Sequence, residues 1–224
     1  DAGLDAAMVA VPTVYHEDVA LALAEAGVHT MVEKPIAHDA AAGRRVAAAF
    51  AERPYAEVTL ADIAEGARAS TPLVYRYFHG KEDLYAQVVR ESVDALMERQ
   101  ARAIDALPDG VPVRDRIRTA TIVYLDHIAA RPGAWAMPLR RPGSEPAGAA
   151  RVRARARSDY VERLGRLLGP GEQPRRRYAL WGYLGFIDAA CLHWVERGCP
   201  DEERWGLIDA ALGALEGGLG DWAA

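Results

Sequence analysis

The side chains best suited to specific chemistry lie in one stretch, residues 59–84, with the sequence TLADIAEGARASTPLVYRYFHGKEDL. It carries hydroxyl, phenol and ammonium groups, which can hydrogen-bond to phosphates and to the edges of bases. Thr59 and Asp62 are three residues apart and form a capping box with Asp in place of the usual Glu. Apolar residues follow at helical spacing, so the pattern predicts a short helix over 60–66.

A second short helix is predicted directly after a turn at 67–69. Ser70 can cap it, and Pro72 falls in its first turn, where proline is tolerated. Val74 and Phe78 are four residues apart and are expected to pack inward, and a third helix is expected to open near Lys81. Two short helices joined by a tight turn are the plan of a helix-turn-helix, which places one helix in a DNA major groove.

The same stretch resembles the amino-terminal domain of the TetR family of bacterial transcriptional repressors. The resemblance is carried by IA near the start, the capped second helix, the aromatic run YRYF and the KEDL that opens the next helix. It implies a first helix at about 43–53 and a DNA-binding domain at 43–88. Two residues depart from the family pattern, Arg68 in place of the turn glycine and Pro54 in place of a glycine after the first helix.

The resemblance also implies roles for single residues. Phosphate contacts, which set affinity and register, are expected from Thr59, Tyr75, Tyr77 and Lys81. Base-edge contacts are expected from Thr71, Pro72 and Leu73, and Arg68 and Ser70 complete the expected DNA-binding set. The base-facing positions carry few hydrogen-bonding groups, so the sequence does not predict an operator.

The first forty residues have a different character. An apolar run before Pro12, a helical segment at 16–26 and a second apolar run at 29–35 predict a βαβ unit with parallel strands. The segment DAAMVAVPTVYHEDVALALAEAGVHTMVEKPIA resembles an internal piece of the Gfo/Idh/MocA family of NAD(P)-dependent oxidoreductases, in which Lys34 would approach the nicotinamide and substrate. The glycine-rich phosphate loop of such enzymes is absent from this sequence, so no catalytic residue and no cofactor are predicted. Since residue 1 is Asp, we expect a fragment of a longer reading frame, with residues 1–42 as a partial Rossmann-like segment.

Helical periodicity continues from Lys81 to the end, and Pro and Gly clusters divide it. The predicted helices are 82–107, 113–131, a short segment 135–139, then 149–168, 175–197 and 201–219. Residues 89–224 are therefore predicted to form one helical domain for effector binding and dimerisation. Four alternating arginines, Arg151, Arg153, Arg155 and Arg157, are interpreted as solvated surface.

The helix at 175–197 carries two adjacent apolar stripes, which is typical of a helix buried on two sides. The TetR resemblance implies a homodimer formed by the last two helices, with the predicted interface residues Leu184, Ile187, Cys191, Trp194, Ile208, Leu212 and Leu215. It also implies a small-molecule pocket, for which the candidates are Tyr124, His127, Trp135, Met137, Trp181, Tyr183, Phe186 and His193. For these aromatic and Met residues a simple core role remains an alternative.

Composition limits the function classes. The chain of 224 residues has a formal net charge of −5, which excludes a uniformly basic surface but permits a local basic patch. Its two cysteines and the absence of a signal peptide predict a reducing, cytoplasmic location. The six histidines are scattered, so no metal site is predicted.

These observations predict a mainly α protein, with a TetR-like helix-turn-helix domain, a helical ligand-binding and dimerisation domain and a short amino-terminal βαβ fragment. The predicted function is a transcriptional regulator, a repressor released from double-stranded operator DNA by a small-molecule effector. Two alternatives remain open, a fragment of an NAD(P)-dependent oxidoreductase and a helical ligand-binding dimer without DNA binding.

Overall fold

A computed structural model describes residues 6–9, 19, 22–23, 28–32, 50, 55–66 and 78–220. The chain divides into two compact units, residues 1–45 and 46–224.

Two short parallel strands are described in the first unit. Strand β1 spans Ala6–Val9 and β2 spans His29–Val32, and Ala6 lies opposite His29 in the ladder. The parallel pairing agrees with the sequence prediction, and parallel strands need a crossover connection between them. Most of the predicted connecting helix, and Lys34, lie outside the described residues.

The described part of the second unit is helical. Its helices are α1 Leu60–Gly66, α2 Lys81–Asp105, α3 Val113–Ala130, α4 Pro132–Arg140, α5 Ala147–Leu167, α6 Pro174–Glu196 and α7 Arg204–Leu219. One-turn 3-10 helices precede α1 at Tyr55–Glu57 and α7 at Asp201–Glu203. These limits lie close to those predicted from the sequence. The segment predicted as 135–139 is longer because Pro132 serves as its first residue, where the missing N–H costs no hydrogen bond.

The main hydrophobic core is formed by α3, α5, α6 and α7. It contains all seven side chains that were predicted to form a dimer interface: Leu184, Ile187, Cys191, Trp194, Ile208, Leu212 and Leu215. None of the seven is more than 7% exposed within the single chain. That prediction is therefore corrected, because α6 and α7 pack against each other and bury this stripe between themselves and α3.

A second, smaller core joins the helix-turn-helix segment to α2. It consists of Phe50, Val58, Ile63, Ala64 and Leu84, with Phe78 and Tyr85 packed against it. The inward position of Phe78 agrees with the sequence prediction, whereas Val74 lies outside the described residues.

Two arginines at the start of α6 satisfy the ends of neighbouring helices. Arg176 is buried and donates to the carbonyl oxygens of Gly165 and Gly169, at 3.0 and 2.6 Å. Arg175 donates to the carbonyls of Gly217 and Gly218. The last carbonyls of a helix have no partner within the helix, so these contacts fix α5 and α7 to the start of α6.

No helix in the part of the chain that the structure describes is long and apolar enough to cross a membrane.

Candidate functional site

Helix α1 begins with the capping box that the sequence predicted. The backbone N–H of Thr59 donates to the Asp62 carboxylate at 2.8 Å, and the N–H of Asp62 donates to the Thr59 hydroxyl oxygen at 3.1 Å. Two otherwise unpaired amides of the first turn are thereby satisfied. The start of the helix-turn-helix is fixed locally, and the exposed Thr59 lies at the amino end of α1, where a phosphate is favourable.

Lys81, a predicted phosphate contact, forms hydrogen bonds within the protein. Its Nζ donates to the carbonyl oxygens of Tyr55 and Val58, at 2.8 and 2.9 Å, and lies 4.1 Å from the centre of the Tyr55 ring. The first residue of α2 therefore holds the turn that leads into α1. Two of the three N–H groups of this ammonium are thus taken by the protein, and the predicted phosphate contact of Lys81 stays a prediction.

The remaining predicted DNA contacts, Arg68, Ser70, Thr71, Pro72, Leu73, Tyr75 and Tyr77, lie outside the described residues. Their roles stay predictions.

Three of the predicted effector residues form hydrogen bonds inside the helical body. The Trp135 indole N–H donates to the Tyr124 hydroxyl at 3.0 Å, and that hydroxyl donates to Asp188 at 3.3 Å. Burial and the nearby carboxylate raise the pKa of Tyr124 well above its usual value. Tyr183 shares a hydrogen bond with Thr121. These groups already have hydrogen-bond partners within the protein, as the alternative of a simple core role predicts.

The Asp188 carboxylate also accepts a hydrogen bond from Arg157. Asp188 is only 8% exposed, so its charge requires this partner. Arg153 similarly donates to Glu145 at 3.0 Å. The interpretation of the alternating arginines as solvated surface is therefore wrong for Arg153 and Arg157, since long guanidinium side chains reach partners that their sequence spacing does not reveal.

His127 faces a cationic environment. Its Nδ1 accepts a hydrogen bond from Arg99 at 2.9 Å, so the ring is neutral. Burial, followed by the charges of Arg99, Arg131 and Arg153, lowers the pKa of His127 to about 4. A small cavity of about 70 Å³ lies beside His127 and Trp135 and is also lined by Phe50 and Tyr85.

Three other predicted pocket residues lie on the outside. Trp181 and Phe186 are 42% and 38% exposed, and His193 is also exposed. They are corrected from pocket to surface positions, because the stripe of α6 that faces the core is the one with Leu184 and Ile187. Met137 is partly buried on α4.

An apolar cavity of about 350 Å³ was missed by the sequence reasoning. It lies among α2, α3 and α5 and is lined by Met97, Gln100, Ala101, Ile104, Asp105, Ile117, Ala120, Tyr160, Arg163, Leu164, Arg166 and Leu167. The one available sequence signal was the polar Gln100 among apolar residues of α2. In the part of the chain that the structure describes, no group of His, Cys, Asp or Glu is arranged to hold a metal ion.

Comparison with known proteins agrees with this architecture. Residues 45–88 match the family of bacterial regulatory proteins called tetR. Residues 1–59 match the oxidoreductase family with an NAD-binding Rossmann fold, known as GFO_IDH_MocA.

Individual relatives point the same way. The chain is 32% identical over 79 residues to the HTH-type transcriptional activator FasR of Mycolicibacterium smegmatis. The aligned residues cover 35% of each protein. The chain thus spans about a third of the length of that curated relative. A tetR-family regulator from Streptomyces coelicolor has a TM-score of 0.62 at 20% identity, with 80% of this chain and 79% of that one covered. The regulator FadR from Bacillus subtilis, solved with stearoyl-CoA, has a TM-score of 0.57 at 17% identity. The match covers 78% of this chain and 94% of FadR.

The described fold is helical and is similar to that of solved tetR-family regulators. More specifically, residues 45–88 match the tetR family, the helical body has a fold similar to that of a tetR-family regulator, and residues 1–59 match the Gfo/Idh/MocA family.

Proposed function

We propose that the chain is a DNA-binding transcriptional regulator whose occupancy of its operator is set by a small apolar molecule. The observation that carries the proposal is the geometry of α1 within a segment that matches the tetR family. Helix α1 is capped at Thr59 and Asp62, held by Lys81 and packed on α2 through a shared core. A supported first helix of this kind suits a helix-turn-helix, whose second helix enters a major groove.

Helix α2 supplies the connection between DNA and effector. It has 25 residues, so it is about 37 Å long. Leu84 near its start packs in the core that supports α1, and Gln100 near its end lines the apolar cavity. A ligand that binds one position of α2 more tightly than another would therefore change the position of α1. FadR of Bacillus subtilis, which has this fold, was solved with stearoyl-CoA, and an apolar effector also suits the apolar cavity of this chain.

We also propose a homodimer, with an interface different from that expected from the sequence. The exposed large apolar side chains among the described residues include Tyr178, Trp181 and Phe186 on α6 and Trp205 on α7. Contiguous exposed apolar patches are typical of interaction sites. Two copies of this face can form a four-helix interface with two-fold symmetry, which suits a palindromic operator.

The test is salt-dependent binding to the DNA that flanks the chain's own gene, measured by fluorescence anisotropy. Tight binding by the full chain is expected, with an affinity that falls steeply as salt rises. Tyr75→Phe, which removes one predicted phosphate contact but keeps the ring, is expected to weaken binding about fivefold. Gln87→Met, at an exposed position of α2 outside the proposed interface, is the control and should bind as the unaltered chain does. Salt-independent or absent binding would contradict the proposal.

A second candidate function follows from the match of residues 1–59 to an NAD-binding oxidoreductase family and from the parallel strands β1 and β2. The glycine-rich loop that holds a dinucleotide pyrophosphate is absent from this sequence. We therefore propose that the segment performs no catalysis here. Titration with NADH, followed by its fluorescence, tests this directly, and saturable binding would favour the oxidoreductase candidate.

A further inference from the structure

The cavity among α2, α3 and α5 has a chemical pattern that narrows the class of its ligand. Its volume of about 350 Å³ falls at the lower end of the range for small-molecule sites. Most of its wall is apolar, and the polar side chains divide into an inner and an outer group. The two groups differ in burial and in charge.

The inner polar group is Gln100, which is 5% exposed. Its Nε2 donates to the carbonyl oxygen of Ala120 at 2.9 Å. Its Oε1 accepts no hydrogen bond from any residue that the structure describes. A buried acceptor without a partner is unfavourable, so this oxygen favours an occupant that brings an O–H or N–H.

Tyr160, the other inner residue with a polar group, is already occupied. Its hydroxyl is hydrogen-bonded to Tyr183, which in turn contacts Thr121. Of the two inner groups, Gln100 Oε1 is the acceptor to which no described residue donates a hydrogen bond.

The outer group is cationic. Arg163 and Arg166 are exposed residues one turn apart on α5, and neither forms an ion pair with a carboxylate of the described residues. Asp105 is the acidic residue of the lining, so two positive charges face one negative charge at the rim. Guanidinium groups bind carboxylates through paired hydrogen bonds, so the rim favours an anion.

We propose that this cavity binds an amphipathic organic acid with a hydroxyl or amide N–H at its inner end. The carboxylate contacts Arg163 and Arg166, the apolar body lies among Met97, Ile104 and Leu164, and the inner donor bonds to Gln100 Oε1. The inference names the ligand class of the effector site, so it rests on the proposed regulator function.

The test uses the full chain and direct calorimetric titration, without DNA. The probes are decanoate, ω-hydroxydecanoate, decanol and decyltrimethylammonium. Decanoate is expected to bind more tightly than decanol, and the cationic probe should not bind. The ω-hydroxyl should improve affinity about fivefold, the effect of one good hydrogen bond. Shortening decanoate should weaken binding about threefold to fourfold for each methylene removed.

Variants separate the two polar contacts. Arg163→Gln with Arg166→Gln should weaken decanoate about tenfold and leave decanol unchanged, whereas Arg155→Gln, an exposed arginine on the same helix, should change neither. Gln100→Met should abolish the preference for the ω-hydroxyl and keep decanoate binding. Gln87→Met is its control on the exposed face of α2.

Three results would overturn the proposal: equal affinity for decanoate and decanol, decanoate binding that survives loss of both arginines, or no saturable binding by any probe. If Gln100→Met weakens the binding of decanoate and of ω-hydroxydecanoate equally, the proposed hydrogen bond to Gln100 Oε1 is wrong. The anisotropy measurement on DNA is independent of all of these, so the regulator function stands or falls separately.

Discussion

Lys81 is a single side chain on which we expect the local structure of the segment that matches the tetR family to depend. Its ammonium group bonds to two carbonyls of the turn before α1 and lies over the Tyr55 ring. Replacing it by Met keeps the apolar stem and removes both hydrogen bonds. We expect a local loss of about 1–2 kcal/mol, because the site is only partly buried.

Hydrogen exchange measures this prediction. The amides of α1 should exchange about tenfold faster in Lys81→Met, while those of α6 keep their rates. Arg155→Met controls for the loss of one positive charge. Unchanged exchange in α1 would show that the turn does not need the lysine.

His127 gives the protein a defined pH dependence of stability. Its pKa is lowered from 6.5 to about 4 in the folded protein, by burial and by three arginines. The unfolded chain therefore binds the proton more readily. The stability that neutral His127 contributes is fully present above pH 6.5 and is lost as the pH falls toward 4, by on the order of 2 kcal/mol.

Urea unfolding at neutral and acidic pH measures whether the free energy of unfolding falls as the pH is lowered. His127→Gln keeps an acceptor for Arg99 but cannot be protonated, so it should lose less stability than the unaltered chain between pH 6.5 and about 4. His193→Gln, on an exposed face of α6, controls for removal of a histidine. If His127→Gln and the unaltered chain lose the same stability between these pH values, His127 is not the source of the pH dependence.

At the scale of elements, α5 and α6 are joined by the pair Arg157 and Asp188. Asp188 is nearly inaccessible and also bonds to Tyr124. Arg157→Leu leaves a buried carboxylate without its cation. The arginine is partly exposed, so we expect a cost of about 2–3 kcal/mol, below that of a fully buried pair.

The double variant Arg157→Leu with Asp188→Leu separates pairing from packing. It should recover a large part of the loss, because no buried charge remains and the Tyr124 hydroxyl still accepts from Trp135. Chemical denaturation of Arg157→Leu, Asp188→Leu, the double variant and the unaltered chain measures this. If the double variant is less stable than either single one, the pair is not the cause.

Helix limits could be predicted because they depend on local signals. The capping box at Thr59 and the Pro and Gly residues between helices act within a few positions, and α1 spans the predicted residues. The inward face of α6 could not be assigned, since both of its stripes are apolar. Leu184 and Trp181 are both large and apolar, so their residue types did not show which of them faces the core.

The cavity was hidden from sequence reasoning for a related reason. Its lining comes from three helices that are separated by loops, and pairing their faces requires the tertiary structure. The partners of Arg153 and Arg157 are likewise 8 and 31 residues away. Roles that depend on long-range contacts were therefore the ones to be corrected.

At the scale of the whole molecule, the exposed apolar face of α6 and α7 should control assembly. Trp181→Gln with Trp205→Gln removes two large apolar side chains that the single chain leaves exposed. The dissociation constant of the dimer should rise at least tenfold, because buried aromatic residues dominate interface energies. Sedimentation equilibrium measures the change, and unaltered helicity by circular dichroism serves as the control. An unchanged association constant would exclude this face.

The most direct test of the central claim is to select bound fragments of the source genome with the full chain and to footprint them. We predict enrichment of a short palindrome with two protected half-sites about 10 base pairs, or a multiple of that, apart. Addition of ω-hydroxydecanoate, the probe expected to bind the cavity most tightly, should change the protection of the DNA. Retention of fragments without a shared sequence or a protected region would contradict the account of this chain as an operator-binding regulator.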